Sequence, residues 1–287
     1  MKHERAWPWL APAIGVIALV AVFPLAWTAW ESLHRHDLRM PWLGRPFVGL
    51  ENYAELAADA RFWGAMAHTA GFTLVTVALE LVLGLGAALV LHRAFRGRAL
   101  LRVATLLPWA LPTVVAGLLF RFLFDSEAGA VSVVLENVGL ERIVWLADPW
   151  LAWIPIVLAD VWKTAPFVAI LLLAGLQQIP GEVYEAAAID GAGWWTRLVR
   201  ITVPMLMPAI VVAAAFRALD AFRVFDLVYV LTGGGPGTAT EPVALYTFNA
   251  LFQSLRFGYG SAIAMALFLA ASVIGIAAVI SIGRESR

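Results

Sequence analysis

Between Leu10 and Trp30 the chain carries no charged residue over about 21 positions, enough for the roughly 20 that a helix needs to cross a bilayer. A secretory leader is the obvious rival for such a run near the amino end. Its apolar core would hold only about 7–15 residues and stop at small residues, whereas this run closes on Trp27, Trp30 and Glu31. It reads as an uncleaved first span.

Five more apolar runs follow, so the chain is expected to be a single all-α transmembrane domain over residues 1–287, with spans at about 9–31, 68–91, 103–124, 150–176, 205–231 and 261–282. Composition agrees: 62% of residues are hydrophobic and 14% charged, against roughly 45–50% apolar in soluble domains. A net charge of zero gives no reason to expect a nucleic-acid partner, and the lack of cysteine excludes disulfides and cysteine-based metal sites or nucleophiles. Leu33 to Ala67 is polar and broken by Pro41, Gly44 and Pro46; within it FVGLENYAEL (47–56) predicts a short surface helix. The loop after the third span is acidic, with Asp125, Glu127, Glu136, Glu141 and Asp148 against Arg142.

Lysine and arginine set the orientation. With the amino end inside, the inner segments hold ten (Lys2, Arg5, Arg93, Arg96, Arg98, Arg102, Arg197, Arg200, Arg284, Arg287) and the outer loops six (Arg35, Arg39, Arg45, Arg61, Arg142, Arg256). Both termini are therefore expected to be cytoplasmic.

The longest polar interruption that still reads as helical is EVYEAAAIDGAGWWTRLVRITVPMLMP (182–208). Glu182 and Glu185 follow Pro180, where carboxylates suit the positive end of a helix, and Gly191 and Gly193 then break the run before a second short turn at Trp194. The small residues Ala186, Ala187 and Ala188 leave little bulk to anchor in lipid, but a groove on another protein could receive them closely. The stretch reads as a docking element on the inner side.

Glu185-Ala186-Ala187, then Asp190-Gly191-Ala192, Ile201, Pro204 and Pro208 resemble the EAA loop of ABC-importer permeases. That resemblance implies a type I importer permease fold, with the loop at 179–204 acting as a coupling helix in a cleft of a separate ATPase. The residues it assigns to coupling are Glu182, Glu185, Ala186, Ala187, Asp190, Gly191 and Ala192.

Charges inside the spans ask for partners, since each costs roughly 2.5–3.5 kcal/mol on insertion scales. Glu80 sits mid-way along the second span. Asp160 and Lys163 are three apart in the fourth, close enough to pair on a helix, and the fifth carries Arg217, Asp220, Arg223 and Asp226, alternating in sign along one stripe. These charges either neutralise one another or line a solute path, and the two can coexist. Rings lie beside them: Trp162, Phe222, Phe225 and Tyr229. Aromatic faces next to carboxylates and arginines suit sugars, though most rings in a membrane bundle pack or sit at the interface. The solute-path candidates are Asp160, Trp162, Lys163, Asp220, Phe222, Arg223, Phe225, Asp226 and Tyr229.

FRALDAFRVFDLVYVLTGGGPGTATE (216–241), ADVWKTAPF (159–167) and ALELVLGLGAALVLHR (78–93) resemble the carbohydrate-uptake branch of these permeases, in particular members handling trehalose or maltose. The resemblance covers nearly the whole chain, without the extra amino-terminal spans and large periplasmic insertion of the enterobacterial maltose permease. It implies a second, different permease, an ABC ATPase dimer that carries the ATP and Mg, an extracytoplasmic solute-binding protein, a sugar substrate and a prokaryotic cytoplasmic membrane.

The chain itself is expected to be non-catalytic and to hold no cofactor. The phosphate-binding loop G-x-x-x-x-G-K-[ST] needs a lysine, and Lys2 and Lys163 do not follow glycines. His3, His34, His36, His68 and His92 lack H-E-x-x-H spacing, so no metal is expected. Two rivals stay in view: a proton-coupled secondary transporter using Glu80, Asp160 or Asp220, which would show an internal repeat, and a membrane-embedded enzyme, whose catalytic groups would converge. Trehalose, maltose, glycerol phosphate and other glycosides all remain compatible substrates.

Overall fold

The computed structural model describes residues 7–285, and side-chain surroundings over 12–281. Lys2, His3, Arg5 and Arg287, and the side chain of Arg284, lie outside these described residues. The described chain is helical and holds no strand, only isolated bridges such as His34 to Phe47.

Among the described residues, five helices are long and apolar enough to cross a membrane: α1 (Pro12–Ser32), α3 (Ala60–His92), α7 (Trp153–Leu176), α9 (Trp194–Ala221) and α12 (Phe257–Glu285, apolar to Ser281). A sixth crossing is available if the bent pair α4 (Arg98–Ala110) and α5 (Thr113–Leu123) counts as one. Shorter helices are α2 (Glu51–Ala58), α6 (Ala130–Asn137), α8 (Gly181–Ile189), α10 (Asp226–Leu231) and α11 (Val243–Phe248).

Two runs expected as simple spans are divided. The 103–124 run turns by 90° between α4 and α5, because Pro112 forces Leu111 out of the helical region to ψ 140°. The 205–231 run is interrupted after Ala221, and the chain unwinds through Phe222 to Phe225 before α10 begins. At its other end the same span begins earlier than expected. The turn at Trp194 is the first turn of α9 itself, continuous through a π-turn at Leu198–Thr202.

The chain forms two compact units, one from Met1–Trp63 with Tyr246–Ala270, the other from Gly64–Leu245 with Ala271–Arg287. In the first, buried Asn52 of α2 donates its amide to the Ser32 and His34 carbonyls at 2.8 and 3.0 Å, which ties the polar segment after α1 to α2. Asp59 accepts hydrogen bonds from both the Tyr246 and Tyr259 hydroxyls at 2.5 Å, and Arg256 pairs with Glu55 at 2.6 Å.

In the second unit, α3, α7 and α9 meet through Ala88, Leu91, Val168, Leu172, Leu173, Leu176, Leu206 and Ala213. Lipid offers no hydrophobic drive for helices to associate, so close contact rests on small residues. Gly84 of α3 lies so close to α7 that a methyl there would sit 2.6 Å from Val168 Cγ1, and one at Gly175 of α7 would sit 2.7 Å from Ala209 of α9. This close three-helix contact brings the charges of the second unit within reach of one another.

Candidate functional site

Arg217 of α9 is buried, 2% exposed, and Glu80 of α3 fully so. The guanidinium grips the carboxylate with both ends, Nε donating to Oε2 at 2.5 Å and Nη2 to Oε1 at 2.8 Å. Nη2 also reaches Asp160 Oδ2 of α7 at 3.0 Å, and Nη1 donates to Asp220 one turn on. Thr164 of α7 adds its hydroxyl 2.5 Å from Glu80 Oε1. One arginine thus joins three carboxylates from three helices, a planar fork meeting flat acceptors in the geometry that makes such bonds strong.

This network corrects two expectations. Asp160 pairs with Arg217 instead of Lys163, and Lys163 makes no ion pair among the described residues. The four-charge stripe of the fifth span is cut where the helix ends at Ala221. Arg217 and Asp220 pair, but Arg223 donates its Nε to the Leu219 carbonyl at 3.1 Å, and Asp226 opens α10 with its carboxylate at the positive end. Non-helical backbone at membrane depth is tolerated where it is buried or lines a cavity. That is its setting here: a cavity of about 130 Å³ is lined by Asp160, Lys163, Asp220, Arg223, Phe225 and Asp226, together with Thr113 and Thr164.

Six of the nine path candidates therefore surround one polar cavity. The other three do not line it. Trp162 packs on Phe120 with ring centroids 5.7 Å apart, Phe222 lines a separate apolar cavity, and Tyr229 stacks on Phe225 at 5.4 Å. Glu80 and Arg217, the centre of the network, are absent from that set of nine. They stand 137 residues apart, and the only hint of their pairing is the general need of a mid-membrane charge for a partner.

At one end of α9 stands α8. Glu182 lies in its first turn, and its end is closed by Gly191 at φ 77°, with Ala192 N–H donating to the Ala187 carbonyl at 2.9 Å and Gly191 N–H to Ala188 at 3.1 Å. This is the Schellman arrangement, in which a left-handed glycine lets the last carbonyls be satisfied. Ala187 faces inward, while Glu182, Glu185, Ala186 and Asp190 are exposed and Ile189 is 87% exposed. A short helix showing small residues, two carboxylates and a bare isoleucine offers a contact surface left exposed by the described residues. Tyr184 fixes it to α9 through a 3.1 Å contact with the Thr202 hydroxyl.

The family model described as binding-protein-dependent transport system inner membrane component matches residues 80–284. A trehalose/maltose transport system permease protein of Thermococcus litoralis is 42% identical over 260 residues, covering 91% of this chain and 87% of the relative. A sulfoquinovosyl glycerol transport system permease protein of Agrobacterium fabrum is 42% identical over 259 residues, covering 90% and 84%. Among solved structures, a chain of a bacterial alginate ABC transporter, crystallised in complex with an alginate pentasaccharide-bound periplasmic protein, superposes with a TM-score of 0.81 at 22% identity, over 96% of this chain and 93% of that one.

Proposed function

The chain belongs to the family of binding-protein-dependent transport system inner membrane components and is a multi-pass permease of an ABC sugar importer; from that premise we propose that its substrate is an uncharged disaccharide of the trehalose or maltose class. The observation that carries this reading is the charge compensation of Arg217. Four of its five guanidinium N–H donors are taken by Glu80, Asp160 and Asp220, whose three carboxylates outnumber its one positive charge, so it attracts an anionic solute poorly, while the carboxylates keep acceptor capacity for sugar hydroxyls.

The cavity of about 130 Å³ is well under the roughly 300–1,000 Å³ usual for small-molecule sites. We take it as one wall of a path completed by a second, different permease. An ATPase dimer, holding ATP and Mg, would receive α8 through Glu182, Glu185, Ala186, Ala187, Asp190, Gly191 and Ala192. Both chain termini would then be cytoplasmic, and an extracytoplasmic binding protein would deliver the sugar. Closure of the ATPases would move α8 and with it α9, whose far end holds Arg217 about 35 Å away at 1.5 Å per residue. The hydrolysis would belong to that partner and this chain would be non-catalytic.

A second reading has its own observation. Lys163 and Arg223 face the same cavity without carboxylate partners among the described residues, which would suit a glycoside bearing a sulfonate or phosphate. The test is ATPase stimulation of the purified complex in nanodiscs by its binding protein with trehalose, maltose, glycerol phosphate or a sulfonated glycoside. Stimulation by a neutral disaccharide is expected; response to the charged solutes alone would replace the first reading with the second. Transport driven by a proton gradient with no ATPase attached would overturn both.

A further inference from the structure

A second, larger cavity of about 760 Å³ shares no lining residue with the polar one. Three membrane helices terminate on it: α3 at His92, α7 at Leu176 and α9 at Trp194, all of which line it. The cavity therefore opens at one end of the bundle, at the level where a bilayer gives way to water, and Trp194 and Tyr184 are residues typical of that level.

Its chemistry is split. Arg93, Arg197 and His92 gather at the mouth, and among the described residues no carboxylate lines it. Neither arginine has an ion-pair partner among the described residues, and Arg197 Nε is buried with no acceptor. Behind them the wall is apolar, running back along α3 through Leu89 and Leu85 to Val82. Ten residues from His92 to Val82 reach about 15 Å into the span at 1.5 Å per residue. A soluble anion would use the mouth and leave that wall bare.

We propose that this cavity binds one anionic phospholipid, its phosphate on Arg93 and Arg197 and an acyl chain along Val82, Leu85 and Leu89. Basic pockets between transmembrane helices at a membrane face take such headgroups. Because Tyr184 belongs to α8 while Trp194 and Arg197 belong to the first turns of α9, the bound lipid joins α3 to the elbow between them. Its headgroup steadies the segment through which α8 connects to the bundle.

The test is native mass spectrometry of the purified full-length chain, delipidated and titrated with phosphatidylglycerol or phosphatidylcholine. One phosphatidylglycerol should be retained in preference to phosphatidylcholine. Arg93→Gln with Arg197→Gln should weaken it about 30-fold, the worth of two charges near a membrane surface. Arg93→Lys with Arg197→Lys should keep most of the preference, and Arg96→Gln, an exposed arginine outside the cavity, should change nothing. Equal retention of the two lipids, or unchanged affinity in a monodisperse double-glutamine variant, overturns the proposal. Displacement of phosphatidylglycerol by equimolar inorganic triphosphate also overturns it, since the cavity would then be a soluble-anion site. Should the double-glutamine variant not fold, a salt titration of the wild type decides: retention must fall with ionic strength, and a flat response counts against the site.

Discussion

Arg217 holds Glu80 through two hydrogen bonds, 2.5 Å from Nε and 2.8 Å from Nη2, and so fastens α9 to α3 with both partners out of contact with solvent. Burying two charges costs several kcal/mol for each ion, so such a pair is weak evidence of added stability, yet removing one member leaves the other uncompensated at about 3–5 kcal/mol. Glu80→Ala is therefore expected to lower the thermal midpoint sharply, and Arg217→Met as much or more, since it leaves three carboxylates behind. Glu80→Ala combined with Arg217→Met should lose less than the two single changes added together, although Asp160 and Asp220 stay behind without their arginine. A double-mutant cycle by thermal unfolding in detergent measures this; simple additivity of the two losses would show that the pair is not coupled.

The close approach of α3 to α7 gives a second expectation. A methyl at Gly84 would meet Val168 Cγ1 at 2.6 Å and Cβ at 2.9 Å, so Gly84→Ala forces the helices apart and should cost about 1–3 kcal/mol. Val168→Ala in the same chain removes the nearer atom but not Cβ, so it should restore part of that loss. If Gly84→Ala unfolds at the wild-type temperature, the two helices are not held at this distance.

Ile189 and Glu185 test the contact role of α8 separately from its folding. Both are exposed, so Ile189→Ser and Glu185→Lys should leave the thermal midpoint of the isolated chain within about 0.5 kcal/mol of wild type. The same changes should reduce co-purification of the ATPase, or leave it attached with sugar-stimulated hydrolysis abolished. Normal stimulation in both variants would remove α8 from the coupling path.

How much of this could be read from the chain differs by element, for physical reasons. The spans are legible because a predominantly apolar run of about 20 residues with few charges has few other uses, and α8 because carboxylates, small residues and glycines each mark a helix feature within a short stretch. The division of the fifth run at Phe222–Phe225 was hidden. Phe222, Val224 and Phe225 are as apolar as a helix interior and Arg223 keeps the three-residue charge spacing of the helix before it, so nothing local marks the end at Ala221. The bend at Leu111 had a local sign in Pro112, but proline is common in these helices, with Pro108, Pro166 and Pro208 lying inside helices that continue. Glu80 and Arg217 stayed unpaired in the sequence because nothing local joins residues 137 apart.

The last expectation concerns pH and the first unit, outside the spans. Burial works against ionisation of Asp59, but hydrogen bonds from the Tyr246 and Tyr259 hydroxyls and from the Arg61 and Phe62 backbone more than offset it, holding the carboxyl below its ordinary value of 3.8. Burial, then the hydrogen bond to Asp59, pushes the Tyr246 phenol up to about 12 from 10.0. For Asp59 the folded chain binds fewer protons than the unfolded one near the ordinary value. Its contribution is therefore present above pH 3.8 and lost as pH falls through the folded value. For Tyr246 the sign reverses: the contribution is present below pH 10.0 and lost as pH rises toward about 12. Asp59→Asn should flatten the acid limb of a thermal-midpoint profile, and Tyr246→Phe should flatten the alkaline limb. Profiles that overlay the wild type at both extremes would mean that this aspartate–tyrosine cluster does not form in the folded chain.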